Sequence, residues 1–256
     1  MKNLKIISVM LAVVIAAGVF AGCDQNRKLY EEADVLLREG NFKEAADAFE
    51  ALGDYNDAAA KALTSRYVLA FALFDNGSFV EAADAFEALG DFNDAAAKAL
   101  ASRYALAVAL FDNGNFVEAA AAFGALGDYS DAPARADESK FNTVFPITYD
   151  YREHTYTITG YQIGNTDGKT AIVLQGDIVD LINFGAAGTL PVPSVACLFE
   201  AGGTVYNTPD VAFSLDFSVV SWIYRTMAYP ETIIIRDRTG VDICSFNIED
   251  VPQKLQ

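Results

Sequence analysis

The chain has few of the residues from which most active sites are built. Its 256 residues include one histidine, one tryptophan and three cysteines. A single histidine excludes zinc sites that use several imidazole ligands. The sequence contains neither a Cys-x-x-Cys pair nor a Gly-x-Ser-x-Gly nucleophile motif. We therefore expect no cofactor, no metal site and no enzymatic activity, and we expect the lone His154 to lie on the surface.

Basic residues are also scarce. The chain has 18 lysines and arginines against 35 aspartates and glutamates, which gives a formal net charge of −17. Such a surface repels phosphate backbones, and no basic cluster interrupts it. The charge balance therefore excludes nucleic acid as a partner and favours a solvated, acidic exterior.

The N-terminal residues have the order of an export signal. Lys2 and Lys5 precede an apolar run over residues 6–20, and small residues follow at Ala21 and Gly22. The run is short for a membrane-spanning helix. We predict that residues 1–22 are a signal peptide. An uncleaved signal anchor and a secretory peptide without a lipid remain as alternatives.

The segment VFAGC, residues 19–23, resembles the lipobox of bacterial lipoproteins, although Phe20 replaces the usual leucine. The resemblance implies that Cys23 carries palmitate-type acyl chains and becomes the first residue of the mature chain, with residues 23–25 as the lipidated N-terminus. It also implies attachment to the extracytoplasmic face of a bacterial cell membrane. Two or more acyl chains anchor a protein without a transmembrane helix.

A unit of about 37 residues recurs three times in the first half of the chain. Residues 41–63 and 78–100 differ at three of 23 positions, and residues 115–131 continue the series. Repeats of this length are typical of solenoids, in which each unit covers the apolar face of its neighbour. We predict an all-α solenoid over residues 26–141 and, where the composition changes to β-branched and aromatic residues, a linker over 142–146.

Each unit is predicted to contain two helices. Gly77 ends the first helix, and Gly90 ends a shorter second one in the left-handed conformation. Proline is tolerated only in the first turn of a helix, so Pro133 predicts that the next helix begins at Ser130 or Asp131. The same alignment makes Asn56 and Asn93 predicted N-caps. The aspartate-rich turns lack the alternating ligands and terminal glutamate of a calcium loop, so capping explains them better.

The spacing of Gly77, Phe79, Ala82, Phe86 and Leu89 resembles the second half of a tetratricopeptide repeat. The unit is longer than in that family and lacks its terminal proline segment. Members generally bind peptides or protein segments along the concave face made by the first helices. The alternative is that the aromatic residues on this face pack between repeats. By the resemblance, the binding residues here would be Tyr30, Tyr67, Phe71, Phe74, Tyr104 and Phe111.

Residues 147–256 are predicted to form an all-β domain. Short runs of alternating apolar residues are separated by Gly, Pro, Asn and Asp, and the turn at 165–168 favours a hairpin. Seven or eight such strands are typical of an antiparallel sandwich. The pattern resembles the immunoglobulin-like sandwiches that end many bacterial lipoproteins, without assigning functional residues. A short helix is predicted over 177–184.

Two features of this second half have two interpretations each. Cys197 and Cys244 could form a disulfide in an exported protein or remain unpaired in the core. Trp222 and Tyr224 alternate along one strand, so they could form a sugar-binding platform or fill the core. The predicted function is a scaffold that binds a protein or peptide through its repeats. The alternative is a cell-wall or carbohydrate-binding lipoprotein that uses the sandwich.

Overall fold

The computed structural model describes residues 25–151, 153–180, 192–216 and 218–254. The predicted signal peptide and Cys23 lie outside the described residues. The chain divides into two compact units, residues 1–106 and 107–256. This division falls within a helix, ahead of the change in composition near residue 142.

Seven helices occur in the described residues, and they follow the predicted alternation of a long helix with a short one. Gly77 and Gly90 have φ angles of 78° and 56°, so both are left-handed, as predicted. Gly77 directly follows the C-cap of its helix, whereas the helix before Gly90 already ends at Glu87 with Ala88 as its C-cap. The helices are α1 (25–38), α2 (Phe42–Ala51), α3 (Ala58–Asp75), α4 (Phe79–Glu87), α5 (Ala95–Asp112), α6 (Phe116–Ala125) and α7 (Ala132–Asn142).

The predicted N-caps Asn56 and Asn93 are wrong. Both residues have a φ of 50°, which is the left-handed conformation, and the helices begin two residues later. Asparagine tolerates this conformation better than most residues, so it makes the turn instead of capping the helix. Asp57 occupies the N-cap position of α3, and its side chain makes no capping hydrogen bond.

The core of the N-terminal unit is built from small residues around one phenylalanine per hairpin. Phe49 is buried among alanines of α1, α2 and α3, and Phe86 occupies the equivalent place in the next hairpin. Alanine lets helix backbones approach closely, and the ring fills the remaining space. The alanine-rich composition of the repeats therefore reflects tight packing of neighbouring helices.

Eleven strands occur in the described residues, and all their pairings are antiparallel. One sheet has the order β1-β2-β3-β9-β8, a second has the order β11-β10-β6-β7, and β4 pairs with β5. The strands are β1 (Ile147–Tyr151), β2 (His154–Thr166), β3 (Lys169–Asp177), β4 (Val179–Asp180), β5 (Val192–Pro193), β6 (Val195–Ala201), β7 (Thr204–Tyr206), β8 (Asp210–Phe213), β9 (Val219–Tyr224), β10 (Thr232–Asp237) and β11 (Asp242–Asn247).

The hairpin of β2 and β3 has the predicted turn. Asp167 and Gly168 have φ angles of 52° and 73°, as a type I′ turn requires. The helix predicted over 177–184 is wrong for its described part, since Asp177 ends β3 and β4 follows. Ile178 and Val179 are both buried, so the extended chain already places these apolar side chains in the core.

The two large sheets share one core, as expected for a sandwich. The ring of Tyr224 on β9 contacts Phe199 on β6 with centroids 4.7 Å apart. The immunoglobulin-like detail is not confirmed. In that fold the second and third strands lie in different sheets, whereas β2 and β3 are paired here.

The predicted linker over 142–146 is packed into the β domain. Phe145 is buried, stacks on Phe141 of α7 at 4.8 Å, and lies 5.7 Å from Tyr161 of β2. Lys254 pairs with the backbone of Tyr161, and its Nζ lies 3.9 Å from the carboxylate of Glu138. Helix α7 and the two sheets therefore form one packed structure within the second unit.

Candidate binding surface of the helical repeats

Tyr67 connects two successive repeats. Its half-buried ring makes edge-to-face contacts with Phe71, Phe86 and Phe92 at centroid distances of 5.0 to 5.7 Å. Its hydroxyl donates a hydrogen bond to the carboxylate of Asp94, next to the start of α5. A carboxylate near the first turn of a helix also interacts favourably with the positive end of the helix dipole. The ring of Tyr67 therefore contributes to the packing between its own repeat and the next.

Tyr30 makes the same connection one repeat earlier. Its ring contacts Phe49 at 5.5 Å, and its hydroxyl donates to the carboxylate of Asp57. This hydrogen bond is the main cause of a raised pKa at Tyr30 and of a lowered pKa at Asp57. Nearby, Lys61 Nζ lies 2.6 Å from Asp34 Oδ1 and 4.5 Å from the centre of the Tyr30 ring.

Three predicted binding residues of α3 lie on one helix face. Tyr67, Phe71 and Phe74 are spaced by four and three residues, which places them in one row. All three are half-buried, so part of each ring meets solvent. Phe74 contacts Phe79 of α4, with ring centroids 5.4 Å apart. We call these three residues the α3 stripe.

Lys98, which the sequence analysis did not single out, also contacts the α3 stripe. Lys98 Nζ lies 5.1 Å from the centre of the Phe71 ring, a cation–π geometry. The equivalent residues in the preceding repeat are Lys61 and Asp34, which form an ion pair instead. The sequence shows that a lysine recurs at the same position of successive repeats. Only the structure shows which side chain each lysine contacts.

The remaining predicted residues of the helical half lie on α5, and both are half-buried. Tyr104 belongs to the first compact unit and Phe111 to the second. The ring of Phe111 contacts Phe116 of α6 at 5.3 Å, and the guanidinium of Arg135 lies 5.6 Å from its centre. Phe111 therefore repeats the ring pair that Phe74 makes with Phe79.

Cys197 and Cys244 are both unpaired, which corrects the disulfide interpretation. They lie on β6 and β11, and each is directly opposite Ile235 of the strand between them. Two strand spacings of about 4.8 Å separate their backbones by more than a disulfide can span. Burial raises the pKa of both thiols.

The predicted sugar platform is buried. Trp222 and Tyr224 are 1% and 2% exposed, because the face of β9 on which they alternate points into the core. The Tyr224 hydroxyl donates to the backbone oxygen of Cys197. His154 is exposed, as predicted, and its Nε2 lies 2.8 Å from Asp177 Oδ2. Trp222 and Tyr224 therefore cannot form an exposed platform for a sugar in this structure.

Within the described ranges, no cluster of three metal-ligating side chains occurs. Within the same ranges, no helix is both long and apolar enough to cross a membrane.

Comparison with known proteins supports the helical repeats. The family model for the tetratricopeptide repeat matches residues 100–125, which cover the second part of α5 and all of α6. No curated protein matches the chain. Among solved structures, the N-terminal part of the bacterial S-layer protein SbsC aligns at 10% identity and a TM-score of 0.24, over 85% of this chain and 76% of that one. In the structure itself, helical repeats are followed by antiparallel β-sheets, and residues 100–125 are the part that matches the tetratricopeptide repeat family.

Proposed function

We propose that this protein is a lipid-anchored scaffold on the extracytoplasmic face of a bacterial cell membrane. In this proposal its repeats form a tetratricopeptide-like solenoid that binds a protein or peptide segment without covalent chemistry. The observation that carries it is the α3 stripe, where three aromatic rings in one row are each part-exposed on a packed helix. Such rings provide a large contact area at a small entropic cost.

The repeats themselves supply a variant that replaces the central ring of the stripe with the residue found at the same position one repeat earlier. Asp34 stands in α1 where Phe71 stands in α3, and it pairs with Lys61 at 2.6 Å. In Phe71→Asp, Lys98 can make the equivalent pair. We therefore expect the helices to remain folded while partner binding falls more than tenfold.

A matched control changes an exposed residue away from the stripe. Val80 of α4 is 50% exposed, and the equivalent residue of the preceding repeat is Lys43. Proteins cross-linked to the full chain in its membrane would be quantified for the original chain, Phe71→Asp and Val80→Lys. Species lost only in Phe71→Asp identify the partner. Equal recovery from all three chains would reject the stripe as the binding surface.

The anchor has a separate test, since it depends on one sulfur. Cys23→Ser should accumulate as a longer precursor and lose metabolic labelling by a fatty acid, because the lipid would be attached to this cysteine. The control is Cys244→Ser, which leaves the N-terminal motif intact. Lipid labelling that survives Cys23→Ser would disprove the anchor.

The alternative is carbohydrate binding through the β domain, which Trp222 and Tyr224 do not support because both are buried. Retention of the full chain on cell-wall polysaccharide, unchanged by Phe71→Asp, would nevertheless favour it over the proposed function.

A further inference from the structure

The hairpin of α1 and α2 has an open apolar cavity on one side. The cavity has a volume of about 190 Å³ and lies between the two helices. Leu29 lies at its edge and is 44% exposed. The other apolar residues that line it are Ala33, Leu36, Ala48, Ala51 and Leu52.

In the following repeats, the same position faces the preceding hairpin. Arg66 is the equivalent of Leu29, and it pairs with Glu50 of α2. Arg103 is the next equivalent, and its Nη2 lies 2.6 Å from Glu87 Oε1 of α4. Leu29 therefore lies on the side of its hairpin that, in the next two repeats, faces the preceding hairpin.

Leu52 also lines the cavity, and it is less buried than its counterpart in the next repeat. Leu89 is 7% exposed, whereas its counterpart Leu52 is only half-buried. A terminal unit of a repeat protein needs a polar outer face to stay soluble. Leucines at 29 and 52 on this side instead indicate a surface that is covered in use.

If the signal peptide is cleaved before Cys23, as the proposed function requires, the segment left before α1 is too short to cover the cavity. Only Cys23 and Asp24 would then precede residue 25. Two extended residues reach about 7 Å, and the acyl chains on Cys23 would lie in the membrane. The cover must therefore come from another molecule.

A second copy of this chain has the complementary surface. Leu29 projects beside a cavity whose walls include Ala33 and Ala48, so the same surface offers both a knob and a hole, as a two-fold interface requires. The cavity is larger than the roughly 150 Å³ that accommodates benzene, so it can accept a leucine side chain.

The charges around Leu29 are self-complementary as well. Arg27 and Lys28 precede Glu31 and Glu32 by one helical turn, and all four side chains are exposed. When two α1 helices cross antiparallel at Leu29, the basic pair of each copy lies beside the acidic pair of the other. An apolar centre with a charged rim is typical of protein interfaces.

The geometry points to a two-fold dimer in which Leu29 of each copy enters the α1–α2 cavity of the other. Lipid anchors close to α1 would hold the N-terminal hairpins of two copies at the same height above one membrane. This confinement raises their effective concentration.

The test uses the full chain in its bacterial membrane under mild oxidation. Leu29→Cys should give a disulfide-linked dimer, since this residue lies next to the two-fold axis. The matched control is Leu63→Cys, at a site that is 37% exposed on α3, and it should remain monomeric. Equal cross-linking of the two variants would overturn the dimer, as would cross-linking of Leu29→Cys to a different protein.

A second variant tests the interface in detergent solution. Leu29→Arg introduces the residue that the next two repeats already carry, so we expect it to fold normally by circular dichroism. A buried guanidinium in the interface should weaken dimerisation at least tenfold in sedimentation measurements. A monomeric original chain, or an unchanged association constant in Leu29→Arg, would refute the proposal.

The failure of this inference is distinguishable from failure of the proposed function. Phe71→Asp removes partner binding but leaves the α1–α2 cavity intact, so its dimer should persist. If Cys23 carries no lipid and Leu29→Cys still forms the dimer, the anchor is wrong and the interface stands. If the anchor is present and Leu29→Cys stays monomeric, the interface alone is wrong.

Discussion

The helical repeats and the β domain are stabilised by contacts of different kinds. In the repeats the same contact recurs at a fixed interval: Tyr30 to Asp57 and Tyr67 to Asp94 both span 27 residues. In the β domain each contact occurs once, and the hydroxyl of Tyr161 reaches the backbone of Val251 across 90 residues. The repeats are therefore stabilised by neighbours close in sequence, and the β domain by segments far apart. An exposed residue of one repeat can be compared with the equivalent residues of the other repeats. The β domain has no repeated unit that allows such a comparison.

The strongest test of this comparison concerns helix α7, which continues the repeat sequence but packs into the β core. Phe141 is 1% exposed, so Phe141→Ala should destabilise the second unit by about 3–5 kcal/mol. Trp222, the only tryptophan in the chain, is buried in that core and reports its unfolding by fluorescence.

Val117→Ala is the control, since this valine of α6 is 69% exposed. We expect its denaturation midpoint to match that of the original chain. A fluorescence midpoint that is unchanged in Phe141→Ala would separate α7 from the β domain and restore a boundary near residue 142.

A smaller effect is expected from the tyrosine that connects two repeats. Tyr67→Ala removes a ring that contacts three phenylalanines, so the helical signal at 222 nm should melt several degrees lower. Tyr67→Phe keeps the ring and loses only the hydrogen bond to Asp94, for which we expect a fall of roughly 2–4 °C. If Tyr67→Ala melts like the original chain, the ring belongs to the exposed surface and not to packing.

Acid should weaken the equivalent connection between Tyr30 and Asp57. The lowered pKa of Asp57 means that the ionised carboxylate is favoured in the folded state. Its stabilisation is complete above the ordinary carboxyl pKa of about 3.8 and is lost as the pH falls through the lowered folded-state value. Asp57→Asn should therefore melt below the original chain at pH 7, and this difference should shrink as the pH falls below the ordinary carboxyl pKa of about 3.8. A difference that does not shrink as the pH falls would contradict this assignment.

The smallest effect concerns the cysteines of the β domain. Because Cys197 and Cys244 flank Ile235 without bonding, a reductant should leave the thermal midpoint unchanged. Cys197 should be alkylated only after unfolding, since burial raises the pKa of its thiol and the thiolate is the reactive form. Mass spectrometry of alkylated peptides measures both sites. A midpoint that falls on reduction would indicate a disulfide after all.

Much of the helical half could be predicted because each repeat confirms the pattern of the others. The glycine positions and the long and short helices follow from spacing alone. The N-caps could not be predicted so easily, since Asn56 is suited both to a cap and to a left-handed turn, and backbone geometry decides between them. The partners of Tyr30 and Lys61 depend on how successive helices are rotated, which spacing does not determine.

In the β domain, alternation predicted the strands but not the sheets. The Asp167–Gly168 turn was readable from local chemistry, whereas the three-residue β7 is too short to show a pattern. Alternation of Trp222 and Tyr224 showed that they share a face, but not that this face is the inner one. The burial of Phe145 does not follow from the sequence, because Pro146 and the change in composition are equally typical of a linker.

The tyrosine–aspartate hydrogen bonds between successive repeats also restrict how this protein can change its length. Each bond joins a residue to another 27 positions ahead, so adding or deleting one whole unit keeps every tyrosine opposite an aspartate. An insertion of a few residues within a helix would put every later residue of that helix out of register. Near-identical units also provide matching stretches of coding sequence between which recombination can occur. The helical half is therefore expected to lengthen and shorten in whole units, and related chains should differ in repeat number more readily than in repeat length.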